Sequence, residues 1–147
     1  MNTVRLTKEF RFEGAHALKG YQGKCRHLHG HSYRLRVSVS GIPNDLLSDP
    51  INGMVMDFRT LKELVHNLII EPFDHALLLR NDAPLTEALT ETYQNVLVFP
   101  FQPTCERLCL HFAALLAPAI PPPARLFSLR LYETSNSFAE WFATDNL

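Results

Sequence analysis

No stretch of this chain stays apolar for the roughly 18 to 20 residues that a bilayer span requires, and residues 1–10 lack the apolar core of a signal peptide. A cytoplasmic protein with no membrane partner is the expectation. Cysteine is scarce and odd in number, with only Cys25, Cys105 and Cys109, which argues against a disulfide framework and leaves each thiol to be explained as core or as chemistry. Glycine is scarce too, at six residues, which removes collagen-like and glycine-rich low-complexity architectures. Nor does one sign of charge dominate. The 14 Lys and Arg against 15 Asp and Glu give a formal net charge of −1, which is not the footprint of a nucleic-acid partner.

What is present is 46% hydrophobic residues, with ten Phe and ten Pro in 147 residues. That suffices for one domain over 1–147 that buries about two-thirds of its unfolded surface. Its charges are unevenly placed. Residues 1–36 hold eight Lys and Arg against Glu9 and Glu13, whereas the rest of the chain holds six against thirteen. Such a basic district is either a set of solvated strand faces or a seat for a small polyanion such as a phosphate ester.

Two hydrophobic periods alternate along the chain. Residues 3–12 place Val4, Leu6, Phe10 and Phe12 on one side of a strand. Residues 31–39 place Tyr33, Leu35, Val37 and Val39 opposite Ser32, Arg34, Arg36 and Ser38, a period of two. Gly41, Pro43, Asn44 and Asp45 open a loop to about Gly53. From Phe58 to Ile70 the apolar residues recur at helical steps behind Asp57 as N-cap, which predicts a helix stopped by Pro72. Residues 83–93 predict a shorter helix and Asn95 to Phe99 a short strand. A second amphipathic helix starts at Pro103–Thr104, with Thr104 as cap, Glu106 in the first turn, a stripe of Leu108, Phe112, Leu115 and Leu116, and Pro118 at its close. After the stiff run Pro121–Pro123, residues 126–133 and 137–143 alternate as two strands joined at Thr134–Asn136. The expectation is an α+β fold, a four-stranded antiparallel sheet with two helices packed on one face.

Four of the seven histidines, His16, His27, His29 and His31, fall within sixteen residues. In an extended segment His29 and His31 point to one face, Gly30 between them allows close approach, and His16 joins them if the first two strands pair. Three imidazoles suit Zn²⁺ and leave a fourth position open, the arrangement of a catalytic site. Cys25 has two readings. As a fourth ligand it closes a structural site; as a free thiol near a dication, Lys24 and Arg26 it becomes a base or nucleophile. Cys105 and Cys109, one helical turn apart, read as core. Asp74–His75 is a pair in which the carboxylate can orient an imidazole for proton transfer. Glu133 shares a strand face with Phe127, Leu129 and Leu131, where a carboxylate is costly unless it meets a cationic or amide-rich ligand or reaches solvent at the strand end. A non-catalytic zinc-binding module stands as the alternative to an enzyme.

The segments FEGAH (12–16), GKCRHLHGHSY (23–33), GMVMDFRTLK (53–62), FDHALL (73–78), PTCE (103–106) and YET (132–134) occur in this order. Together they resemble the 6-pyruvoyl-tetrahydropterin synthase family over nearly the whole chain. Within it, the short gap from Cys25 to His29-Gly30-His31 and the ending ETSNSFAEW are most similar to the bacterial 6-carboxy-5,6,7,8-tetrahydropterin synthases of queuosine biosynthesis.

The resemblance implies roles. His16, His29 and His31 hold Zn²⁺, Cys25 is the proton-abstracting base, and His75, supported by Asp74, relays protons. Glu133 grips the donor edge of a pterin ring, helped by Thr104 and Glu106. His27 departs from the family pattern and reads as a bystander, with a fourth ligand or a phosphate contact as alternatives. The resemblance also implies the tunnelling fold, in which three four-stranded sheets close a twelve-stranded barrel and two such trimers stack as a hexamer, with active sites between subunits. The implied reaction is that of a carbon–carbon lyase, converting 7,8-dihydroneopterin triphosphate to 6-carboxytetrahydropterin with release of acetaldehyde and triphosphate. The same-family alternative is the pyruvoyl synthase, which eliminates triphosphate and keeps the side-chain carbons.

Overall fold

The alternation in the first forty residues becomes a long antiparallel hairpin. In the computed structural model, which describes residues 2–147, β1 (Val4–His16) pairs with β2 (His29–Gly41) from Val4 opposite Gly41 to His16 opposite His29. Both strands extend further at the histidine end than their alternation indicated, because β1 continues through Glu13–His16 and β2 begins at His29. On the inner face Phe10 lies opposite Leu35 and Phe12 opposite Tyr33, and the rings of Phe12 and Tyr33 stack 4.8 Å apart.

Asp57 accepts the Arg59 N–H and caps α1 (Phe58–Val65). The helical run changes type before Ile70. His66–Ile70 form a π turn, in which the Glu71 N–H reaches back five residues to the His66 carbonyl, and a short α2 (Glu71–Phe73) follows. Pro72, inside α2 rather than beyond the helix end, brings no N–H to the run, and the wider turn precedes it. Then come β3 (Ala76–Arg80), α3 (Thr86–Thr92), β4 (Val96–Phe99), α4 (Cys105–Leu116), β5 (Arg125–Thr134) and β6 (Ser137–Phe142).

The sheet corrects the expectation of four antiparallel strands. It has six, in the order β4-β3-β1-β2-β5-β6, and it is mixed, because β3 runs parallel to both β1 and β4. The four expected strands are present as β1, β2, β5 and β6, antiparallel throughout. β3 escaped the period-two criterion for a physical reason. Ala76 and Leu78 are buried on one side and Leu79 on the other, and a strand covered on both faces reads as a plain apolar run. β3 meets β1 only at Gly14–His16, so within this chain the outer edge of β1 before Gly14 has no partner strand among the described residues.

α1, the π turn and α4 cover one face of the sheet. Leu61, Val65, Ile69, Leu108, Phe112 and Leu116 are fully buried in one cluster with Leu35, Val37, Leu129 and Leu131, each contributing about 1.5–3 kcal/mol of burial. Cys105 and Cys109 belong to this core, and burial pushes their thiols up to about 12 and about 11. α3 adds no buried residue and lies with the additional strands.

Candidate metal centre and active site

Strand register brings the three histidines together. His16 ends β1 opposite His29, and His31 follows two residues later on the same face. Their rings meet edge to face with centroids 4.6, 4.8 and 5.1 Å apart, and one donor nitrogen from each lies within 4.8 Å of the others. The helix-covered core runs up to this point. Tyr33 forms its last layer, with its ring 5.6 Å from that of His31 and 6.4 Å from that of His16.

Two carbonyl groups decide which nitrogens are free. His16 Nδ1 lies 2.7 Å from the Pro103 carbonyl oxygen, and His29 Nδ1 lies 2.6 Å from that of His27. A carbonyl only accepts, so both Nδ1 atoms carry the proton, and a neutral imidazole has no second one to give. With both rings neutral the two Nε2 atoms face each other lone pair to lone pair at 3.0 Å, and His31 Nε2 is buried without a hydrogen-bond partner. Burial opposes a positive charge on two of the three rings, holding His16 down at about 4 and also lowering His31. Three converging imidazole nitrogens, two of them freed by carbonyl hydrogen bonds on the far side of the ring and the third buried without a hydrogen-bond partner, are how proteins present such rings to a metal. The residues fit a divalent metal ion.

The Pro103–Thr104 turn serves two ends at once. Thr104 Oγ1 caps α4 by accepting the Arg107 N–H at 3.2 Å, while the preceding carbonyl orients His16. Glu106 projects into solvent from the first turn of α4. His27 contributes its carbonyl to the site, and its side chain is exposed.

Glu133, on β5, resolves its costly position by facing the imidazoles. Its Oε1 lies 3.7 Å from His16 Nε2 and 3.6 Å from His31 Nε2, with 27% of the side chain exposed. With His16 neutral, the first contact is no ion pair, and the carboxylate adds negative potential where a cation would sit.

Asp74 and His75 follow α2 and are held by reciprocal main-chain bonds to β1. The Glu13 N–H donates to Asp74 Oδ1 at 2.9 Å, and the His75 N–H donates to the Glu13 carbonyl at 2.6 Å. Asn95 Nδ2 donates to the Asp74 carbonyl at 3.1 Å. These bonds hold His75 at φ 63°, a left-handed conformation that a residue with a side chain adopts only when its surroundings enforce it. Asp74 Oδ1 lies 3.1 Å from His75 Nδ1, and the Glu13 amide holds the Asp74 carboxyl below the usual range. The His75 ring is 76% exposed and, with His31, lines an open cleft of about 900 Å³ whose walls include Leu28, Tyr93 and Asn95.

Cys25 stands apart from both groups. It lies in the short 3-10 turn Lys24–Arg26 as a half-buried free thiol, outside the converging nitrogens and outside the cleft lining. Sequence reasoning did not find Asn95 or the main chain of Glu13. The second acts through backbone atoms, and the first is one loop asparagine among several, so neither leaves a pattern in the sequence.

A family model described as 6-pyruvoyl tetrahydropterin synthase matches residues 5–143. The 6-carboxy-5,6,7,8-tetrahydropterin synthase of Haemophilus influenzae is 34% identical over 142 residues, covering 93% of this chain and 97% of its own. The protein of that name from Synechocystis sp. is 38% identical over 140 residues, covering 94% and 92%. Among solved structures, an uncharacterized protein from Wolinella succinogenes superposes with a TM-score of 0.82 at 23% identity, covering 97% of this chain and 99% of that one. Caenorhabditis elegans 6-pyruvoyl tetrahydropterin synthase gives 0.69 at 22% identity, covering 97% of each. These two likenesses are of fold.

Proposed function

The chain belongs to the 6-pyruvoyl tetrahydropterin synthase family, and we propose that it is a 6-carboxy-5,6,7,8-tetrahydropterin synthase. In this reading a zinc-dependent carbon–carbon lyase of queuosine biosynthesis, one domain over 1–147, converts 7,8-dihydroneopterin triphosphate to 6-carboxytetrahydropterin, acetaldehyde and triphosphate. The observation that carries it is the convergence of one nitrogen from each of His16, His29 and His31 beside a cleft that His31 and His75 both line.

When bound at His16, His29 and His31, Zn²⁺ supplies a Lewis acid that polarises side-chain oxygens and acidifies the adjacent C–H. The thiol of Cys25 takes that proton, and the exposed imidazole of His75, steadied by Asp74, relays protons at the cleft. Glu133, beside two of the imidazoles, faces the reacting side chain and grips what is bound there. The carboxylate of Glu133 suits the N–H and amino donor edge of the pterin ring, with Thr104 and Glu106 at the start of α4 as its helpers.

Two features support a homo-oligomer with shared sites, either a trimer or a hexamer of two trimers. The edge of β1 before Gly14 and the outer edge of β6 lack partner strands among the described residues, and unpaired edges invite pairing with another copy. Cys25 and His75 do not line one cleft in a single chain. A cytoplasmic location is part of the proposal, and no described helix is long and apolar enough to cross a membrane.

The test is mass analysis of the products formed from 7,8-dihydroneopterin triphosphate by purified, zinc-loaded protein. The 6-carboxy product with acetaldehyde is expected. A 6-pyruvoyl product assigns the sister activity, and absence of turnover overturns the enzyme reading.

A further inference from the structure

Ser32 and Glu13 lie opposite each other across β1 and β2, joined by a 2.7 Å hydrogen bond from Ser32 Oγ to Glu13 Oε2. Both line the metal cleft, and both also line a second, more enclosed cavity of about 400 Å³. This second cavity lies toward the sheet face opposite the imidazoles, since Ser32 and Arg34 alternate with His31 and Tyr33 along β2. Its remaining walls are Arg11, Tyr33, Arg34, Thr134 and Ser135.

Arg11 and Arg34 are direct cross-strand partners in the β1–β2 register. Like charges in that relation destabilise a sheet unless something neutralises them, and the protein's own acids do so only in part. Glu9 Oε1 lies 3.4 Å from Arg34 Nη1, but the same oxygen accepts the Nε–H of Arg36. Glu13 accepts the hydroxyl of Ser32. No carboxylate oxygen comes within 4.0 Å of Arg11 among the described residues. Arg34 is also held in place, its guanidinium lying 3.8 Å over the ring of Tyr132. One guanidinium fixed over a ring, one that shares Glu9 with Arg34 and Arg36 and has no close ion pair, and the side chains of Thr134 and Ser135 thus border one small cavity.

We propose that this cavity is a binding site for a short phosphate chain, with Arg11 and Arg34 as its two clamps. Guanidinium forks bind phosphate oxygens in pairs, and two of them set across strands suit more than one phosphate group. The shared wall at Glu13 and Ser32 makes the site continuous with the metal cleft. The phosphate chain has two sources, the one carried by a substrate in that cleft or a free one from solution. The proposal needs the cavity and its arginines, not the lyase reaction.

Isothermal titration calorimetry with inorganic triphosphate tests it, on the full chain as purified and again after metal removal, which separates binding here from chelation of the metal. One triphosphate per chain is expected in both samples and in His29→Ala. Arg11→Ala and Arg11→Gln should weaken it about tenfold or more, Arg11→Lys should weaken it less, and rising salt should weaken it throughout. Circular dichroism checks that each variant is folded, and Arg34→Lys is the second handle should Arg11→Ala not fold. The KM for 7,8-dihydroneopterin triphosphate then distinguishes the sources. A rise in step with the lost triphosphate affinity places the substrate's own chain here, and an unchanged KM with that affinity lost places a free chain here. Affinity unchanged in the Arg11 and Arg34 variants, or binding that vanishes with the metal, overturns the site.

Discussion

His16 and His29 face each other Nε2 to Nε2 at 3.0 Å, each with its other ring nitrogen committed to a carbonyl. Two neutral imidazoles have no reason to meet this way unless something positive lies between them, and His31 offers a third unpartnered nitrogen to the same point. The core that holds the fold, built on Leu35, Leu61, Leu108 and Phe112, reaches these rings only through its last layer at Tyr33, and His29 lies at its solvent side.

Because His29 is only half-buried and outside the core cluster, His29→Ala should lose most bound metal and nearly all activity while staying folded. Metal content per chain and circular dichroism on one preparation check this. Full metal occupancy in the variant would remove His29 from the ligand set.

Acid should destabilise the metal-free protein through His16. Burial sets its folded pKa at about 4, against an ordinary value of 6.5, so the folded state binds fewer protons than the unfolded chain. The corresponding stability is complete above pH 6.5 and is lost as the pH falls toward 4, at up to about 1.4 kcal/mol per unit. His31, also lowered by burial, adds to the loss with the same sign. Urea titrations between pH 7.5 and 4.5 read the slope. A flat profile would contradict the neutral, buried imidazoles.

Cys25 is where the ligand and base readings differ most. Its place outside the converging nitrogens favours the base, so Cys25→Ala should keep metal at wild-type stoichiometry and lose about 10²–10⁴ in single-turnover rate. Cys25→Ser should also be slow, because a hydroxyl ionises far less readily than a thiol. Loss of metal together with rate would favour a ligand, and retained rate would take Cys25 out of the mechanism.

Asn95 holds the Asp74 carbonyl and, through it, the left-handed turn at His75. Removing one such hydrogen bond costs about 0.5–1.5 kcal/mol, so Asn95→Ala should slow turnover about two- to tenfold. Metal content should not change. The pH profile of kcat should move with the substitution, and an unaltered profile and rate would reduce Asn95 to a loop residue without a part in positioning.

The hairpin and the histidine trio were legible in the sequence because both follow from the period of two. Once Tyr33 and Leu35 are placed inward, His29 and His31 must face the same way, and antiparallel pairing carries His16 to them. α4 was legible because Thr104, Glu106 and the Leu108–Phe112 stripe give consistent start and burial signals. β3 was not, since Leu77, Leu78 and Leu79 are apolar without alternation. The π turn at His66–Ile70 was hidden because Phe58 to Ile70 keeps an apolar stripe at three- and four-residue steps. The partners of Glu133, the carbonyl roles of Pro103 and His27, and the Asn95 bond depend on contacts between distant segments, to which a local pattern is blind.

The most direct test is stepwise metal reconstitution of stripped protein, with acetaldehyde and 6-carboxytetrahydropterin quantified from the same samples. The account predicts that both products appear together from 7,8-dihydroneopterin triphosphate and rise in proportion to Zn²⁺ up to one ion per chain. Equal product formation by metal-free protein, or a fully loaded protein that releases neither product, would contradict it.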